Sequence, residues 1–119
     1  MRKIIENRLI DFAVSIIDMC EMLDNRFISQ HLTNQILRSS TSTALNYGEA
    51  QSAESRKDFI HKTSIVLKEL RETQICLRII KKANLLKTDH TIDGISKECI
   101  ELVSIFQKTV NTAKSKNTT

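Results

Sequence analysis

The chain has 119 residues, 40% of them hydrophobic and 27% charged, with a formal net charge of +4. That is one soluble-type domain with a single core, and no apolar run approaches the ~18 residues of a membrane-spanning helix. Zero prolines and two glycines exclude a turn-rich architecture and point to long helices joined by short turns.

Met1-Arg2-Lys3 is basic, but no apolar core or small-residue cleavage site follows. The expectation is a chain without a signal peptide, retained in the cytoplasm. Ile5, Leu9, Phe12, Ile16, Cys20 and Leu23 repeat at threes and fours, which predicts a first helix over residues 3–24. Asp24-Asn25-Arg26 reads as a turn, with Ser29 the expected cap of a second helix over 29–50.

The second helix changes character midway, because Ser39 to Ala44 contains only Ser, Thr and Ala. Such residues are mediocre helix formers, so this stretch predicts close packing against a neighbour, with Gly48 read the same way. The small-residue helix also suggests a surface suited to docking another subunit.

Ser55-Arg56-Lys57-Asp58 fits the capping pattern in which a hydroxyl and a carboxylate serve the amides of a helix start. A third helix over 55–84 follows, striped by Phe59, Thr63, Val66, Leu70, Thr73, Leu77 and Ile80. Folding it back on the second helix brings Arg38 near Glu69 and Glu72, Asn46 near His61, and Glu49 near Arg56 and Lys57. These five, Arg38, Asn46, Glu49, Glu69 and Glu72, form a candidate polar network whose bland reading is a register-fixing bridge.

Thr88-Asp89-His90-Thr91 supplies turn and cap candidates before a fourth stripe from Ile92 to Ala113, predicting a helix over 91–113 and a frayed polar tail over 114–119. The fold class is therefore all-α, an antiparallel up-down-up-down four-helix bundle.

Leu37-Arg38-Ser39, Asn46, Glu49-Ala50, Ala53-Glu54-Ser55, Asp58-Phe59-Ile60-His61-Lys62, Leu67-Lys68-Glu69 and Glu72-Thr73 together resemble the small four-helix-bundle proteins named after 23S rRNA intervening sequences. Cys76 stands where relatives often carry an aromatic, and Tyr47-Gly48 replaces a more helix-friendly pair. The resemblance implies a homo-oligomer, a ring-shaped pentamer, and it extends to accessory proteins of diversity-generating retroelements that bind nucleic acid. A gene's location inside an rRNA intervening sequence is not itself evidence of rRNA binding.

The residues offer no chemistry of their own. Cys20, Cys76 and Cys99 lie on or beside apolar stripes with no C-x-x-C spacing, which predicts reduced thiols and no disulfide framework. There is no Glu-x-x-His; Asp58-x-x-His61 is a near miss whose Asp58 already caps, so no metal or other cofactor is expected. No nucleophile elbow or phosphate loop is present, so an enzyme is not expected.

Charge carries the functional clue. Residues 55–87 hold nine basic and three acidic residues, whereas residues 1–54 hold five basic and seven acidic. Such a face suits a phosphate backbone, with Arg56, Lys57, Lys62, Arg78, Lys81 and Lys82 as the candidate contacts. A solvated face would carry the same charges. With one Tyr, four Phe and no Trp, base stacking is not expected, so RNA or DNA would be held by its backbone. The competing reading is a scaffold whose basic face docks an acidic protein.

Overall fold

In the computed structural model, which describes residues 2–87 and 90–117, four helices follow one another: α1 (Arg2–Cys20), α2 (Phe27–Gln51), α3 (Arg56–Lys82) and α4 (His90–Asn117). Each packs on its neighbours in the cycle α1, α2, α3, α4 and back to α1. This is the four-helix bundle that the apolar spacing predicts, 50 Å long and 22 × 20 Å across. The core runs along its axis through Leu9, Ile16, Ile36, Leu70, Leu102 and Phe106. Tyr47 meets Phe106 edge to face at 5.5 Å, a favoured aromatic geometry.

The helix ends depart from the predicted bounds for local reasons. α1 stops at Cys20 rather than at residue 24. Glu21, Met22 and Leu23 donate their amides three residues back, which tightens the chain out of the helix. Leu23 then bridges Leu86, and Asp24 N–H donates to Leu85 O at 2.9 Å. The turns at the ends of α1 and α3 are thereby tied together.

Ser29 is not the cap of α2. The helix begins two residues earlier, at Phe27, and its N-cap, Arg26, makes no side-chain capping bond. Asp24 fixes the turn before the helix instead, accepting from Arg26 N–H at 3.1 Å and from the Ser29 hydroxyl.

Ser55 does cap α3, accepting from Asp58 N–H at 3.0 Å. The far end closes in a Schellman turn: Asn84 lies at φ 61°, Leu85 N–H donates to Ile80 O and Asn84 N–H to Lys81 O. Leu85 and Ile80 are both buried there, so the turn also completes the core. Thr88 and Asp89 of the predicted turn lie outside the described residues, as do residues 118 and 119 of the predicted tail. The remaining tail is helical, because α4 continues through Asn117 with Lys114 and Lys116 at its C-terminal dipole.

Part of the small-residue stretch of α2 is consumed inside the chain. Ser39, Ser40 and Thr43 are buried, and the Ser39 hydroxyl lies 2.7 Å from that of Thr73 on α3. Thr73 donates in turn to Glu69 O and Thr43 to Ser40 O, so hydroxyls that cost helix propensity satisfy one another or the backbone. Ser39, Ser40 and Thr43 are thus spent within the chain, whereas Thr41, Ser42 and Ala44 are half-buried. Gly48 does not share the role of the buried residues: it is exposed, and an added Cβ would meet nothing within 4 Å.

Candidate nucleic-acid interface

A helix turns 100° per residue, so positions along α3 map directly onto its faces. The buried side is taken by Thr63, Val66, Leu70, Thr73, Leu77 and Ile80. Counted from Arg56, the residues Lys57, Arg71, Arg78, Lys81 and Lys82 fall within about 120° on the other side, and Lys68 borders them. All are exposed. From Arg56 to Lys82 the line of cations is roughly 39 Å long, a little more than a turn of B-form duplex.

Lys62 departs from that face. It sits about 240° from Arg56, turned toward α2, where its Nζ donates to Glu49 Oε1 at 2.7 Å. Glu49 thus pairs with Lys62 and not with Arg56 or Lys57. Lys81 stays on the basic face but is shared with Asp93 of α4 at 2.5 Å. Arg71 donates to the Gln107 side-chain oxygen at 2.6 Å.

The candidate polar network separates into three pieces. Arg38 donates through Nη1 to both oxygens of Glu69, at 3.1 and 3.3 Å, and through Nη2 to Glu72 at 2.5 Å. Asn46 turns back on its own helix, donating to Ser42 O and Oγ at 2.9 Å. Glu49 belongs to Lys62. Asn46 and Glu49 therefore do not join Arg38, Glu69 and Glu72 in one network.

Glu69 is the buried member of the bridge, and burial pushes its carboxyl above the ordinary range, with Glu72 beside it adding to the effect and Arg38 opposing it. Glu72 is held below the ordinary range by hydrogen bonding with Glu69 and Arg38. Of the two, Glu72 therefore ionises first as pH rises and Glu69 after it. Among the described residues, no three His, Cys, Asp or Glu side chains gather as metal ligands. No helix there is long and apolar enough to cross a membrane.

Sequence reasoning missed the contribution of α4. Arg56, Phe59, Lys108, Thr109, Thr112 and Lys116 line a notch of about 350 Å³ where the start of α3 meets the end of α4. The signal was available, because folding α4 back through the loop near residue 86 sets Lys116 opposite Arg56.

An all-α bundle of four antiparallel helices with its excess charge on one outer helix is the class of protein these features define. The chain belongs to the 23S rRNA-intervening sequence protein family, whose model matches residues 3–108. It is also similar to the crystal structure of a protein of unknown function from the S23 ribosomal protein family of Bacteroides thetaiotaomicron. That likeness has 30% identity and a TM-score of 0.81, and covers 93% of this chain and 99% of the other. The search of curated proteins found no match.

Proposed function

We propose that this protein is a non-enzymatic homo-oligomer, a pentamer, that binds structured RNA or DNA by its phosphate backbone. The observation that carries the reading is the arc of exposed cations along α3, formed by Arg56, Lys57, Arg78, Lys81 and Lys82. Lys62 is left out because it is turned to Glu49. Lys108 and Lys116 widen the arc at one end. These side chains neutralise phosphates and release condensed counterions; none is given a base-reading role. In a ring, several copies of the arc would act on one nucleic acid, and multivalency would strengthen a weak single contact. Binding of this kind belongs in the cytoplasm, where structured RNA and DNA are at hand.

Fluorescence anisotropy with an RNA hairpin and a DNA duplex at two salt concentrations tests this, with light scattering on the same sample. Binding by an oligomer that weakens steeply with salt is expected. No binding to either ligand at low salt would sink the reading. A protein partner that survives nuclease digestion in a pull-down would favour the scaffold instead.

A further inference from the structure

The exposed apolar side chains include two surfaces on the outside of the bundle. One is a stripe on α1, where Ile10, Val14 and Ile17 are 43%, 47% and 42% exposed. Their spacing of i, i+4 and i+7 is that of a helix whose apolar face enters a groove. Asp11, Asp18 and Glu21 flank them, all exposed. The other is a groove of about 760 Å³ between α2 and α3, lined by Leu67, Ile75 and Ile79 together with Lys68, Arg71 and Glu72, the last paired to Arg38. Ile75 and Ile79 are 50% and 44% exposed.

The two surfaces complement each other in shape and charge, a ridge with acids against a groove with bases. They also stand at the same height. Leu23 bridges Leu86, and counting back from that tie, Ile17 is six residues before Leu23 and Ile79 is seven before Leu86. A planar ring needs no shift along the bundle axis, and in such a ring one copy's α1 would run parallel to the next copy's α3, level with it.

We infer that copies of this chain assemble head to tail, the α1 stripe of one seated in the α2/α3 groove of the next. The occupant of the groove is a second copy of the chain. This rests on the homo-oligomer reading above and adds the faces. A contact between two different surfaces is heterologous and closes a ring if the rotation permits. Arg38 lines both the groove and the smaller furrow beside Ile17, so the two surfaces share α2 as their edge. Adjacent sides of a four-sided bundle turn the path by about 90° per copy, and a ring of five copies needs that turn opened to about 72°. Of the cations on the outer side of α3, Lys68 and Arg71 line the groove and would be covered by the neighbour, whereas Arg78 and Lys82 lie outside it.

Two variants test the pairing, each placing a lysine at an exposed site: Val14→Lys spoils the stripe and Ile79→Lys the groove. Light scattering is expected to give the wild type as an oligomer and each variant alone at the single-chain mass of 13.6 kDa, with unchanged helical circular dichroism. Mixed, the intact stripe of one variant meets the intact groove of the other, so the mixture forms a dimer of twice that mass and nothing larger. A wild-type oligomer whose mass neither variant changes overturns these faces while leaving the oligomer reading intact. A mixture that stays monomeric overturns the head-to-tail pairing. A wild type that is itself monomeric sinks both readings at once.

Discussion

The Arg38 guanidinium on α2 joins two carboxylates of α3, Glu69 through Nη1 and Glu72 through Nη2. The Glu69 side chain is only 7% exposed, whereas that of Arg38 is 53% exposed. Removing the cation leaves a buried acid without its main partner. Breaking a fully buried pair costs about 3–5 kcal/mol, but screening at the half-exposed Arg38 reduces that. Arg38→Ala is therefore expected to destabilise by about 1–3 kcal/mol in urea unfolding near neutral pH. Adding Glu69→Gln should recover much of the loss, since the buried charge is then gone. A double variant no more stable than Arg38→Ala would show that the guanidinium acts through packing.

The same carboxylate sets a pH dependence. Glu69 has its carboxyl raised above the ordinary value of 4.5 by burial. A raised folded value means that the folded state holds the proton more tightly than the unfolded chain. The stability this contributes is full below pH 4.5 and is lost as pH rises through the raised value. Glu72 is lowered and works in the opposite sense, stabilising above 4.5 and less as pH falls. Glu69→Gln removes the first contribution, while Glu72 keeps its hydrogen bond from Arg38 and can accept one from the new amide. The variant should gain on the wild type as pH rises from about 4 to about 7. A difference in unfolding free energy that is flat across that range would rule out Glu69 as the titrating group.

This bridge was legible in the sequence because Arg38 lies at nearly mirror positions to Glu69 and Glu72 about a hairpin turning at residues 52–55. The rest of the predicted network was not. A long side chain can turn along its own helix, as Asn46 does toward Ser42, or reach one turn past its facing position, as Lys62 does to Glu49. Helical periodicity fixes the face of a residue but not that choice. The helix starts divide in the same way. Ser55 caps α3 through a local bond, whereas α2 is organised by Asp24 from outside the helix, in a turn that depends on the distant Leu85.

Gly48 illustrates a position where local sequence misleads. Its neighbourhood of Ser, Thr and Ala suggests close helix approach, yet it faces open space within a regular helix. A glycine there carries only the entropic cost. Gly48→Ala should therefore stabilise by about 0.5–1 kcal/mol, seen as a higher urea midpoint with unchanged slope. A loss of stability would mean that another copy of the chain approaches this surface closely.

The hydroxyl pair between Ser39 and Thr73 sets the separation of α2 and α3, both residues being essentially inaccessible to solvent. Ser39→Leu forces extra volume into that contact and should cost about 1–3 kcal/mol. Ser39→Ala removes one partner of the pair and should cost about 1 kcal/mol. Equal effects of the two substitutions would show that the hydrogen bond matters and the close approach does not.

The thiols differ in burial and should differ in reactivity. Cys99 is fully buried and donates to Leu70 O at 3.4 Å, and burial pushes its thiol up to about 12. Cys20 and Cys76 are half-buried and raised less far by the same cause. The thiolate is the reactive form, so a thiol reagent at pH 8 should label Cys76 and Cys20 slowly and Cys99 only on unfolding. Mass spectrometry of the labelled peptides checks this. Labelling of Cys99 at the rate of the other two would mean that α3 and α4 separate in the native state, because the Sγ that points at the Leu70 carbonyl has no path to solvent while those helices stay packed.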